Sequence, residues 1–336
     1  MIYPKFLKEN DWIGVTAPSD GTVEKTDIYR LNNAIRKFEE LNYKIKETND
    51  VRTSIKGKSA PSKVQAKELE DLFKDEEIKC IICASGGDFL LEMLSEVDFE
   101  IIKNNPKWLQ GYSDPTGLLF TITTNLDMAT IYADNFKGFG METWHKSLEN
   151  NLKILEGNLL TQKSFEKYES TRPERVIGNE GYNLDKEVKW ENLNSKEINI
   201  RGRIIGGCLD ILTELFGTRF DKTKDFIEKY KDDGIVWYLE NCEMTSESII
   251  RTLWKFKDNE WFKHTNGIIF GRSALEQSCY DISFKEAVTR VLGDLNIPII
   301  LNADIGHVSP RMTIINGAIC NVLSKDGNGK ITFELK

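Results

Sequence analysis

"WLQGYSDPTGLLF" (108–120) runs from one short apolar segment, through a glycine, a serine and a proline, into a second. A strand ending at Gly111 and a helix opened by Pro115, whose ring presets φ for a first helical turn, leave Tyr112, Ser113 and Asp114 on a sharp turn. That is the layout of a nucleophile elbow, in which a serine hydroxyl stands proud of a sheet. The same residues suit a plainer task, since Ser113 or Asp114 would also cap the helix that follows. The choice depends on what the rest of the chain offers.

Working outward, strand and helix signals alternate. Upstream come "DWIGVTAPS" as strand, Asp27 to Leu41 as helix, "YKIKE" as strand, Ser62 to Lys74 as helix and "IKCIICAS" as strand. Ile28, Leu31, Ile35, Phe38 and Leu41 recur at steps of three or four and predict one apolar stripe laid against a sheet. Downstream, "MATIYAD" reads as strand and Trp144 to Leu155 as helix. This is α/β order, and it assigns residues 1–163 to an N-terminal α/β domain. Residues 164–200 are polar, with turn signals in "TRPER", "GNEGYN" and "NLNSKE", and read as a connector or substrate loop.

Order resumes over 201–336, a second β/α domain. "RGRIIGGCLDILTELFG" reads as strand into helix and "GIVWYLEN" as strand. Helices are predicted over Ser246 to Phe256 and near Phe284 to Leu292, with "GIIFGRS" and "IPIILNADIGH" as strands. The tail predicts a β-hairpin around "DGNG".

With 336 residues, 40% of them hydrophobic and 29% charged, the chain is long enough for two domains and able to bury a core. A net charge of -8 and a pI near 5.3 argue against a nucleic-acid partner, which calls for a basic face. No segment approaches the ~20 apolar residues of a membrane span and "MIYPKFLKENDW" lacks the features of a signal peptide, so a cytoplasmic protein is expected. The six cysteines mostly sit in apolar strand-like runs and read as reduced core thiols. Cys80 and Cys83 form a CxxC, but an extended run sends them to opposite faces, against a redox or zinc role.

A serine nucleophile needs a base, and the chain offers three histidines. His145 and His264 stand near helix ends, where histidine is ordinary. His307 instead follows the apolar run "IPIILNAD", at the end of an expected parallel strand, where α/β folds place functional loops. Glu240 closes "GIVWYLE" and could orient the imidazole, or could be a solvated strand-end charge. Gly86 and Gly87 form a tight turn in "CASGGDFLLEML", so the backbone N–H groups of Gly87 and Asp114 are candidate oxyanion donors. The pair is neither GxGxxG nor a P-loop, which weakens any phosphate-cradling reading.

Seven stretches in order, "GVTAPS", the "GG" turn followed by "LLEML", "PKWLQGYSDPTGL", "GRIIGGCLDILTELFGT", "WYLENCE", "GIIFGRS" and "DIGHVSP", resemble the LD-carboxypeptidase family of serine peptidases. That family includes muropeptide LD-carboxypeptidases and the microcin C self-immunity peptidases. The resemblance implies a Ser113, His307, Glu240 triad with oxyanion donors at Gly87 and Asp114, and no metal or cofactor. It further implies a flavodoxin- or Rossmann-like N-terminal domain with a parallel sheet, a swivelling C-terminal domain, a site at their interface and a homodimer. "SDPT", "ENCEMTSESIIRTLWKF" and the connector favour the microcin branch. There a connector tryptophan stacks on the base of an aminoacyl-nucleotide substrate, and Trp190 either does so here, with Gly86 also near substrate, or only anchors its loop. Cys208 stands where relatives often carry asparagine, and "CASGGDF" also departs from the usual pattern.

The resulting expectation is amide-bond hydrolysis in an aminoacyl-nucleotide or related peptide-like substrate. Its alternatives are muropeptide cleavage in cell-wall recycling and a catalytically silent binder of small molecules.

Overall fold

The computed structural model describes residues 1–171, 176–177 and 181–336. The turns expected in "TRPER" and at the start of "GNEGYN" lie largely outside the described residues. Two compact units share the chain: Met1–Leu159, Thr171–Asn183 and Met312–Asn316 form the first, and the remaining segments form the second. The connector expected over 164–200 is thus divided between both units.

In the first unit β1 (Trp12–Thr16), β2 (Lys44–Glu47), β3 (Ile78–Cys83), β4 (Trp108–Gly111) and β5 (Thr130–Tyr132) pair in parallel, in the order β2-β1-β3-β4-β5. β3 carries "IKCIIC", an apolar run without alternation, as a strand covered on both faces requires. Cys80 and Cys83 are both fully buried there, and burial pushes both thiols above the usual thiol range.

The connecting helices are α1 (Lys25–Glu40), α2 (Ser62–Lys74), α3 (Leu90–Leu94), α4 (Phe99–Asn104), α5 (Thr116–Leu126) and α6 (Lys146–Leu155). The stripe expected on α1 is narrower than its spacing suggests. Leu31, Ala34 and Phe38 are buried, whereas Leu41 lies just past the helix end and is 44% exposed. The strand order reverses direction between β1 and β3, the switch point at which open α/β sheets leave a crevice beyond their carboxyl ends. The loops leaving β1, β3 and β4 there carry Ser19, Gly86–Gly87 and Ser113.

A buried polar cluster fixes the first of these loops. Ser59 Oγ donates to Ala17 O (2.6 Å), and Gln65 Nε2 donates to Ser19 O (2.7 Å). Behind them Asp50, only 4% exposed, accepts from Thr48 Oγ1 (2.6 Å) and Ser59 Oγ (3.0 Å).

The second unit opens with four short strands, β6 (Gln162–Lys163), β7 (Lys167–Tyr168), β8 (Lys186–Glu187) and β9 (Glu191–Asn192). They precede β10 (Glu197–Cys208), β11 (Ile235–Glu240), β12 (Thr265–Gly271) and β13 (Ile299–Ala303). β10 to β13 are parallel neighbours, joined by α7 (Leu209–Leu215), α8 (Thr223–Lys229), α9 (Ser246–Asp258) and α10 (Phe284–Leu292). Trp261 stacks on Phe256 (4.1 Å between ring centroids) and on Trp237 (5.7 Å), forming an aromatic core.

After β13 the chain contributes β14 (Ile314–Asn316) to the first unit, antiparallel to β5. It then returns to the second unit as the expected hairpin, β15 (Ile319–Lys325) and β16 (Asn328–Glu334). Asp326 (φ 50°) and Gly327 (φ 80°) make its two-residue turn, both in the left-handed region that such turns need.

Burial, with Glu68 beside it, pushes Asp50 up to about 7. An aspartate in an unfolded chain titrates near ~3.9. Between these values the native state holds a proton that the unfolded chain has released, so stability falls as pH rises from about 4 through about 7. Denaturant unfolding across this range should show the wild type losing stability relative to Asp50→Asn. Parallel curves for the two proteins would contradict the assignment.

Candidate active site

Ser113 lies in the left-handed region, φ 69°, which costs a non-glycine residue about 1–3 kcal/mol unless its surroundings enforce it. The enforcement is visible. Asn135 Oδ1 accepts from the Tyr112 amide (3.1 Å), Tyr132 Oη accepts from the Ser113 amide (3.4 Å), and Ser113 O accepts from the Thr116 amide (2.8 Å). Pro115, the residue at the N-cap of α5, brings no side-chain cap. Asp114 does not cap it either. Its carboxylate, 1% exposed, turns away to accept from Ser19 Oγ and from the Leu90 amide (2.9 Å), tying the loops after β1 and β3 to the serine turn. Burial pushes this carboxyl up, and those two donors act in the opposite direction.

Gly86 and Gly87 let the loop after β3 close on the same turn. A side chain at Gly86 would lie 3.1 Å from Ser113 Oγ, and one at Gly87 would come within 2.3 Å of Ser19 Oγ. The backbone N–H groups of Gly87 and Asp114 donate to no group among the described residues. Backbone amides of this kind beside a serine turn are available as donors to an anion.

In the second unit Glu240 ends β11 with no exposed surface, and both its oxygens lie close to His307 Nδ1 (3.0 and 2.8 Å). Glu240 Oε2 also accepts from the His307 amide (3.3 Å). The solvated strand-end reading of Glu240 therefore fails, because a fully buried carboxylate persists only when it is paired. Gly306, at φ 93°, makes the approach possible, since a Cβ there would lie 2.4 Å from Glu240 Oε2. Arg311 Nε donates to Gly306 O (2.6 Å) and steadies the turn.

The other two histidines are accounted for locally. His145 Nδ1 caps α6 by accepting from the Ser147 amide (3.1 Å), and burial lowers its pKa. His264 pairs with Glu228 (3.3 Å).

Trp190 departs from the expectation of a base-stacking residue. It is 2% exposed, its Nε1 donates to Asp304 Oδ2 (2.9 Å), and its ring lies against Gly329. An indole covered this way anchors the connector, and no face is open to a base. Asp304 also pairs with Arg272 (2.7 Å), and Arg272 lies over the Tyr168 ring. A cleft of ≈ 710 Å³ opens there, lined by Tyr168, Lys186, Lys189, Arg272, Asn302 and Val308 among others. Asp304 and Arg272 escaped the sequence reading, although both follow apolar strands as charged residues, the signal that drew attention to Glu240.

The structure thus gathers Ser113, Gly86, Gly87 and Asp114 in the first unit, and Glu240 with His307 in the second. Gly306→Ala should lower the unfolding free energy by roughly 2 kcal/mol or more, because it strains a left-handed turn and crowds the buried carboxylate. Wild-type thermal stability in that variant would remove the reason given for glycine here.

Residues 13–133 match the LD-carboxypeptidase N-terminal domain, and residues 201–322 match the LD-carboxypeptidase C-terminal domain. The Microcin C7 self-immunity protein MccF of Escherichia coli is 27% identical over 82% of this chain and 80% of its own. Among solved structures, the MccF-like protein of Bacillus anthracis superposes with a TM-score of 0.83 at 24% identity, over 100% of both chains. Microcin C7 self-immunity protein MccF in complex with aspartyl sulfamoyl adenosine gives 0.82 at 23% identity, over 100% of this chain and 99% of the other. Two domain matches in order, with relatives aligned over most of their length, make this chain a hydrolase that belongs to the LD-carboxypeptidase family.

Proposed function

We propose that Ser113, His307 and Glu240 act together as a catalytic triad that hydrolyses an amide bond. The observation that carries this reading is the Glu240–His307 pair, with Nδ1 held at 2.8 Å by a carboxylate that has no exposed surface. An imidazole whose Nδ1–H is committed in this way carries its lone pair on Nε2, the tautomer a general base needs. His307 takes the proton of the Ser113 hydroxyl as the oxygen attacks the carbonyl carbon. The oxyanion is held by the amides of Gly87 and Asp114, and the proton passes to the leaving nitrogen. Water then hydrolyses the acyl-enzyme by the same route. The strained φ of Ser113 supports this role, because backbone strain persists where surroundings hold a side chain in one orientation.

The substrate is an aminoacyl-nucleotide amide. Support comes from the relative named as a microcin C7 self-immunity protein and from its structure with aspartyl sulfamoyl adenosine. The protein works within the cytoplasm as a homodimer. Since Trp190 is covered, base recognition falls to other residues.

Release of amino acid from aspartyl sulfamoyl adenosine provides the test. Ser113→Ala should lower kcat/KM by roughly 10³-fold or more. Undiminished hydrolysis by that variant would end the triad reading. Turnover of a murein tetrapeptide instead would move the substrate to cell-wall fragments while keeping the triad. Failure of a fluorophosphonate to label Ser113, with ligands still bound, would leave a binding protein.

A further inference from the structure

Cys208 is a third side chain at the Glu240–His307 pair. It ends β10 as the register partner of Glu240 on β11, so their side chains leave the sheet on the same face. One ligand atom from each of Cys208, Glu240 and His307 lies within 4.8 Å of the others, and all three residues are buried. Thiol, carboxylate and imidazole together form a ligand set suited to a tetrahedral zinc ion.

We propose that Cys208, Glu240 and His307 form a Zn²⁺ site, and that filling it switches the hydrolase off. The switch rests on the triad proposed above; the metal site does not.

Bonds of about 2.0–2.3 Å to a tetrahedral ion place ligand atoms roughly 3.5 Å apart. The Glu240 and His307 atoms, now 2.8 Å apart, must open by about 0.5 Å, and the Cys208 sulfur, within 4.8 Å of both, must draw in to a similar spacing. Thiolate, carboxylate and neutral imidazole balance the dication, which suits a site with almost no solvent around it. Without metal the thiol keeps its proton, because burial and the nearby Glu240 and Asp210 carboxylates hold its pKa well above the usual range. Cys208 Sγ then donates to Asp210 Oδ2 (3.2 Å). Asp210 also accepts from the amides of Cys242 (3.0 Å) and Glu243 (2.9 Å), so it stays in place when that proton leaves.

The proton balance explains the inhibition. Zn²⁺ displaces the thiol proton to solvent and forms a Zn–S bond. It also takes the Nδ1 lone pair of His307, and the ring proton moves from Nδ1 to Nε2. One proton is released in total. The Nε2 lone pair that would receive the Ser113 proton is then gone, and Glu240 no longer holds the ring.

The test uses the full chain, stripped of metal with a chelator. Cobalt(II) titration should give one ion per chain with a thiolate-to-cobalt charge-transfer band. Cobalt binding should release one proton, and zinc should then displace the cobalt with no further release. Cys208→Ser should abolish the band and weaken zinc binding at least about tenfold, and His307→Ala should also weaken it. Zinc should inhibit the wild type, EDTA should restore it, and Cys208→Ser should need at least about tenfold more zinc for the same inhibition. No thiolate band in the wild type, or wild-type zinc affinity in Cys208→Ser, overturns the site. Zinc bound through the thiolate with turnover unchanged overturns the switch. A metal-free wild type that hydrolyses nothing counts against the triad alone, because the cobalt spectrum still decides the metal site.

Discussion

A carboxylate with no exposed surface is among the most costly groups a fold can hold, and Glu240 is one. Its burial is sustained by the imidazole of His307 at 2.8 Å and by the His307 amide at 3.3 Å. Much of the second unit follows from that requirement. β11 must end at its last buried residue, the turn after β13 must approach closely enough to bring the imidazole, and the residue before His307 must lack a side chain. The pair is therefore a structural constraint in its own right.

The first unit solves a related problem with strain. Holding Ser113 at a positive φ requires hydrogen bonds from several directions, and the β5 region supplies them through Tyr132 and Asn135. Asp114, the neighbour that could have capped α5, is spent on joining three loops. The result is a turn whose shape is set by long-range contacts more than by local preference, which is why local sequence left cap and nucleophile both open.

What was legible in the sequence follows the same division. α2 and α10 lie where their apolar spacing and boundaries put them, since both are amphipathic helices of ordinary length. α4 and α8, of six and seven residues, are too short to show a period and went unread. Ser113, Glu240 and His307 stood out because polar residues that end apolar strands are poorly explained by packing. Trp190 was ambiguous for the opposite reason. An aromatic residue in a polar connector looks available for a ligand, and only Asp304, 114 residues away, and the close backbone at Gly329 show that it is covered. The role of Cys208 was equally invisible, because strand register cannot be read from one strand alone.

The short excursion of β14 has a consequence for how the chain matures. β5 is made early, but the strand that covers its edge is not synthesised until after His307, when most of the second unit already exists. Neither unit is a continuous piece of chain. A first half released alone would present an open sheet edge, an invitation to pair with another copy. Completion of the first unit's sheet thus waits until the ribosome has passed Asn316.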